Sequence, residues 1–74
     1  MGKEDRDLFK KKLGKRIAEL RIAKRMSTSD LARAAGKDPQ TIFKVENGIT
    51  NASAFFLSEL AAAMQVPLKD LLDF

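Results

Sequence analysis

Apolar residues recur at Phe9, Leu13, Ile17 and Leu20 with lysines and arginines between them, and no proline interrupts residues 5–25. Steps of three and four put these side chains on one face of an amphipathic helix. Gly14 lies inside it, and a mid-helix glycine costs on the order of 1 kcal/mol relative to alanine, so the turns before Leu13 are expected to fray. Met26 closes the stripe. Ser27-Thr28-Ser29-Asp30 then reads as a start signal, because a hydroxyl at the cap and a carboxylate three positions later can each accept a free N–H. A second helix is predicted over 28–35, with Gly36 as its stop. Asp38-Pro39 opens a third: proline suits a first helical position and pushes the residue before it out of helical torsions. That helix, over 39–47, turns Ile42 and Val45 inward and ends before Gly48. Asn51 is the expected cap of a fourth helix buried through Leu57, Leu60, Ala61 and Met64. Pro67 opens a last short helix with Leu68, Leu71 and Leu72.

The pattern predicts an all-α fold, a compact bundle of five helices joined by short connections, with no strand signal and no repeat. Two of the helices, 28–35 and 39–47, are short and separated by a tight turn, as in a helix-turn-helix. Ala32 has to be small because the second helix of such a unit crosses over it. Gly36 lets the chain reverse. Leu31, Ala35, Ile42 and Val45 lock the pair together and set the angle at which the third helix protrudes.

With those positions assigned to packing, Gln40, Thr41, Phe43, Lys44 and Asn47 form the outward face of the third helix. A glutamine in the first turn of a helix laid in a DNA major groove can bond to adenine N6 and N7 together, which discriminates against other bases by about 1 to 3 kcal/mol. From spacing alone the other reading, a surface glutamine without a partner, stays open. Phe43 is a bulky apolar group on this face, fitted either to a thymine methyl or to a protein surface.

Charge is unevenly placed. Residues 1–25 carry ten Lys or Arg against four Asp or Glu, and residues 26–74 carry four against six. A basic first segment suits a polyanion partner and equally suits a solvated helix face. Lys10-Lys11-Lys12, placed on the first helix, is expected to lie away from the third helix as such a face, with distant phosphate contact as the other reading. Phe55 and Phe56 adjoin in the fourth helix; one belongs in the core, and the other, with Leu72 and Phe74, is a candidate dimer patch. The chain has no cysteine and no histidine. Disulfides, thiolate metal sites and imidazole bases are thereby excluded, and neither catalytic grouping nor metal or cofactor site is expected. Nor is a membrane span, since no apolar run approaches the roughly 20 residues one requires. The start of the chain has no apolar signal core, so a cytoplasmic location is expected.

Taken together, Leu13 to Ile17, Leu20-Arg21, Ser27 to Ala32, Gly36, Thr41-Ile42, Val45-Glu46-Asn47-Gly48, Leu57, Leu60-Ala61 and Val66 to Leu72 resemble the Cro and phage-repressor group, the Xre-type helix-turn-helix regulators. The resemblance covers residues 13–72. It implies a lambda-repressor-like five-helix domain over 13–74, preceded by an extension of the first helix over 1–12. It further implies a homodimer that binds double-stranded DNA at a palindromic operator and regulates transcription, as a repressor in the manner of a Cro protein or a restriction-modification controller. By the same resemblance Gln40, Thr41, Phe43 and Lys44 fall on the base-reading face. Thr28, Asn47, Thr50 and Asn51 fall where phosphates are gripped, and Arg21 and Glu46 match a structural ion pair. Some residues depart from the pattern: the loop Ile49-Thr50-Asn51-Ala52 lacks the group's frequent basic residues and its proline, Asp38 is acidic at the groove-facing end, and Lys37 replaces an apolar turn residue. These departures and the exposed phenylalanines support the alternative of an antitoxin-like module that wraps a toxin or other protein and touches DNA as part of that complex.

Overall fold

Ser27 and Asp30 hold each other at the start of the second helix: the Ser27 hydroxyl accepts from the Asp30 N–H at 2.9 Å, and the Asp30 carboxylate accepts from the Ser27 N–H at 2.9 Å. Hydrogen bonding from Ser27, its backbone N–H first and its side chain second, draws the Asp30 carboxyl below its ordinary range. In the computed structural model, which describes residues 2–74, this helix is α2, Thr28–Ala35. It follows α1, Lys3–Ala23, and precedes α3, Pro39–Glu46, α4, Ala54–Met64, and α5, Leu68–Leu71. Among the described residues there are five helices and no strand, the all-α architecture that the sequence predicts. Met1, the first residue of the expected 1–12 extension, lies outside them.

Each boundary of the central unit has a local cause. Gly36 sits at φ +68°, ψ +35°, the left-handed conformation that lets the chain reverse without a Cβ penalty. The Asp38 carboxylate accepts from the Gln40 N–H at 2.8 Å and caps α3, with Pro39 in its first turn. Past Glu46, Asn47 caps the end of the helix and Gly48 takes φ +69°.

The core is formed by Leu13 and Ile17 of α1, Leu31 and Ala32 of α2, Ile42 and Val45 of α3, Leu57, Leu60, Ala61 and Met64 of α4, and Leu71 of α5. Ile17, Leu31, Ile42, Leu60, Met64 and Leu71 are fully enclosed, so every helix contributes at least one anchor. Two ties join distant segments. The Arg16 Nε–H donates to the Asp70 carbonyl at 2.8 Å, fixing α1 to α5. Lys37 Nζ lies 2.8 Å from Glu59 Oε1 and 5.4 Å from the centroid of the Phe56 ring, so the lysine in the apolar turn position pins that turn to α4 through charge and ring face together.

Four expectations are corrected. Ser53, rather than Asn51, caps α4, its hydroxyl accepting from the Phe56 N–H at 3.0 Å. Both residues are short and polar; the cap falls where it brings Phe56 and Leu57 onto the core. Phe9 is 46% exposed instead of buried, and its ring meets that of Phe74 edge-on at 5.4 Å. The turns before Leu13 belong to one unbroken helix that begins at Lys3. Gly14, finally, is a packing requirement. A Cβ at this buried position would run into the carbonyl oxygens of Val45 and Glu46, so its absence lets α1 lie directly on the end of α3.

Candidate nucleic-acid interface

Burial of Ile42 and Val45 determines which way the rest of α3 faces. With those two turned inward, Gln40, Thr41, Phe43 and Lys44 are all exposed, and Phe43 keeps 53% of its surface in solvent. α3 stands between two shallow depressions. One is lined by Thr28 and by Pro39, Gln40 and Phe43; the other is lined by Thr41 with Thr50, Asn51 and Phe56 among its neighbours. The structure thus brings Gln40 and Phe43 together with Thr28 on one flank, and Thr41 together with Thr50 and Asn51 on the other.

Thr28 is the first residue of α2, and the Ser27 hydroxyl is used by the Asp30 N–H. The first N–H groups of a helix have no partner within it and carry the positive end of the helix dipole, so this end of α2 is disposed toward an anion. The carboxylate of Asp38 is turned onto the Gln40 N–H, and its negative charge is thus engaged at the start of α3. Asn47 is exposed, but its side-chain amide donates to the Phe43 carbonyl at 2.8 Å, leaving one N–H and the carbonyl oxygen for any further contact.

Arg21 and Glu46 are joined twice, Nε to Oε2 at 2.8 Å and Nη2 to Oε1 at 3.1 Å, with side chains only 14% and 8% exposed. The remaining guanidinium arm donates to the Met26 carbonyl at 2.9 Å. One arginine therefore ties together the carboxyl end of α3, the helix it projects from and the turn into α2. The hydrogen bonds that Arg21 donates to Glu46 hold the guanidinium above its ordinary pKa, against the opposing pull of burial.

Of Lys10-Lys11-Lys12, Lys11 does not lie apart from the end of α3 as the sequence suggests. Gly48 packs against Lys11 so closely that a Cβ on it would come within 2.8 Å of Lys11 Cγ and 3.0 Å of its Cα. No local periodicity could reveal this contact, because it joins the middle of α1 to the turn after α3. The signal in the sequence was the pair of glycines, Gly14 and Gly48, one for each place where α1 touches the end of α3.

A buried helix pair joined at a left-handed glycine, with a capped and outward-facing second helix, defines a helix-turn-helix DNA-binding domain. The profile of the helix-turn-helix family matches residues 17–71, most of the chain. The chain belongs to this family of DNA-binding transcription regulators, in agreement with the Cro and phage-repressor resemblance. Among solved structures it is similar to the restriction-modification controller protein C.AhdI from Aeromonas hydrophila, at 36% identity and a TM-score of 0.81 over 82% of this chain and 92% of that one. It is similar also to a hypothetical transcription factor, NHTF, from Neisseria, at 28% identity and a TM-score of 0.82 over 86% of this chain and 74% of that one. The clp gene regulator ClgR from C. glutamicum, 23% identical with a TM-score of 0.83 over 86% and 83% of the two chains, shares the fold. Comparison with curated proteins gives no match. Among the described residues no helix is long and apolar enough to cross a membrane.

Proposed function

We propose that this protein is a repressor that binds an inverted-repeat operator as a homodimer, each copy setting α3 into the major groove. Gln40, Thr41, Phe43 and Lys44 face base edges in this reading, and Thr28, Asn47, Thr50 and Asn51 face the phosphates on either side. The observation that carries it is the strip on α3: four outward positions flanking the buried Ile42, on a helix held by Ile42, Val45 and the Arg21–Glu46 pair. Arg21 and Glu46 touch no base; they fix the tilt of the helix that does.

Likeness to a restriction-modification controller supports a small regulator of this kind, working in the cytoplasm where the DNA is. Phe55, Leu72 and Phe74 are exposed apolar residues suited to a contact between two copies, which a palindromic site requires. Control then comes from protein concentration and dimerisation. The exposed Phe43 and the uncharged loop after Gly48 favour a second reading, in which this face docks on a toxin or other protein and DNA is bound by the complex.

Selection from a random duplex pool at several salt concentrations separates the two. The repressor reading predicts an enriched inverted repeat with half-site centres about 34 Å apart, and affinity that falls steeply with salt as condensed counterions are released. No enriched sequence together with a shallow salt dependence transfers the assignment to the protein-docking reading.

A further inference from the structure

We infer that Lys11, in the segment of α1 that precedes the family match, is a DNA-backbone contact supplying the cation that the loop after α3 lacks. The inference rests on the groove reading of α3 and adds a site to it. Its starting point is the close approach of Lys11 to Gly48, which places the root of this side chain at the carboxyl end of α3. Lys11, Gly14 and Arg21 follow one another at steps of three and seven along α1, so they share a face. That face is the one lying on α3, since Gly14 abuts the Val45 and Glu46 carbonyls and Arg21 is held by Glu46.

Glu46 neutralises Arg21, while Lys11 is exposed and forms no ion pair among the described residues. Its neighbours on the chain are disposed differently. Lys10 pairs with Asp7 at 3.6 Å, and Lys12 lies on another face, beside Arg16, Glu19 and Phe74. The loop Ile49-Thr50-Asn51-Ala52 carries no charge. With α3 laid in the groove, one stretch of sugar-phosphate backbone lies near the start of α2 and another past the turn after α3. Thr28 and the start of α2 serve the first of these. Lys11 serves the second, reaching past Gly48 and Asn47 on a flexible four-carbon stem.

A lysine at a helix carboxyl end also offsets the partial charge of the last carbonyls, and that role would show in stability and not in binding. Salt titration separates the two. Kd is measured for the selected duplex by fluorescence anisotropy between roughly 50 and roughly 200 mM salt, for the unaltered protein, Lys11→Gln, Lys11→Arg and Lys12→Gln. Loss of one phosphate contact lowers the slope of log K against log salt by about 0.9, so the fall in affinity across that range becomes about threefold smaller. Lys11→Gln is expected to show this loss with an unchanged selected sequence and an unchanged thermal midpoint; Lys11→Arg should keep the original slope, and Lys12→Gln should match the unaltered protein. An unaltered slope in Lys11→Gln, or equal losses in Lys11→Gln and Lys12→Gln, overturns the assignment while leaving the groove reading intact. Failure of the unaltered protein to bind any duplex overturns both.

Discussion

Gly14 shows how one residue reverses sign between sequence and structure. Helix propensity alone says that Gly14→Ala should stabilise by about 1 kcal/mol. The added methyl would instead meet the Val45 and Glu46 carbonyls, both backbone atoms that cannot swing aside. Overpacking of this kind costs about 1 to 3 kcal/mol, and α1 would have to lift from the end of α3 to relieve it. Since 1 kcal/mol moves the midpoint of a domain this size by about 4–8 °C, thermal melting of Gly14→Ala gives a clear answer: a fall is expected, and a rise would mean that α1 and α3 are not packed as described. At Arg21 the expectation concerns the pair rather than the residue. Arg21→Ala strands a largely enclosed Glu46 and frees the Met26 carbonyl, at a cost on the order of 3 kcal/mol. Arg21→Met with Glu46→Met removes both charges and should recover much of that loss in the same melting experiment. A double variant no better than the single one would show that the ion pair stabilises beyond its own desolvation.

At the scale of elements, the sequence is most legible where a local rule decides. Ser27 with Asp30, Gly36, and Asp38 with Pro39 are start and stop signals whose chemistry acts within three or four residues, and they stand in the structure where the sequence places them. The core face of each helix is legible for the same reason, since Leu31, Ile42, Val45, Leu57, Leu60 and Met64 follow from periodicity. The errors arise where a distant part of the chain decides. Asn51 and Ser53 are comparable caps in isolation, and only the demand that Phe56 and Leu57 reach the core selects Ser53. Phe9 continues the apolar stripe of α1, but the body of the domain ends opposite Lys11, where the helix meets Gly48. Beyond that point Phe74 meets the stripe edge-on at Phe9, which stays 46% exposed. The same overrun takes Lys11 to the interface, which is why a run of three lysines that reads as a solvated face contains one with a different position. Among the candidate contacts, exposure of Gln40, Thr41, Phe43 and Lys44 follows directly from the inward turn of Ile42 and Val45. The second bond of Asn47, back to Phe43, is a side-chain choice that spacing does not dictate.

At the scale of the whole molecule, the five helices of the described residues share one core and expose the outer side of α3. The core is used to fix orientation. α1 lies across the end of α3 through Gly14, Arg21 and Lys11, α2 packs on α3, and α4 holds the turn between α2 and α3 at Lys37 through Glu59 and Phe56. A helix packed by α1 and α2 and anchored at the turn before it presents its outer side without needing to reorganise, and a preorganised face loses little entropy on binding. In the dimer proposed above, operator recognition would belong to the assembly of two such faces, and the exposed Phe55, Leu72 and Phe74 are the residues proposed for its joint.

Sequence selection carried out in parallel with the unaltered protein and with Gln40→Ala addresses that recognition most directly. Gln40 is exposed and its side chain forms no hydrogen bond among the described residues, so its truncation should leave the melting midpoint where it is. If the outer strip of α3 reads the operator, the two selected sequences will differ at one symmetry-related base pair in each half-site, with degenerate bases in the variant where the parent demands one and every other position retained. Identical selected sequences from the two proteins would contradict the placement of the reading face on α3.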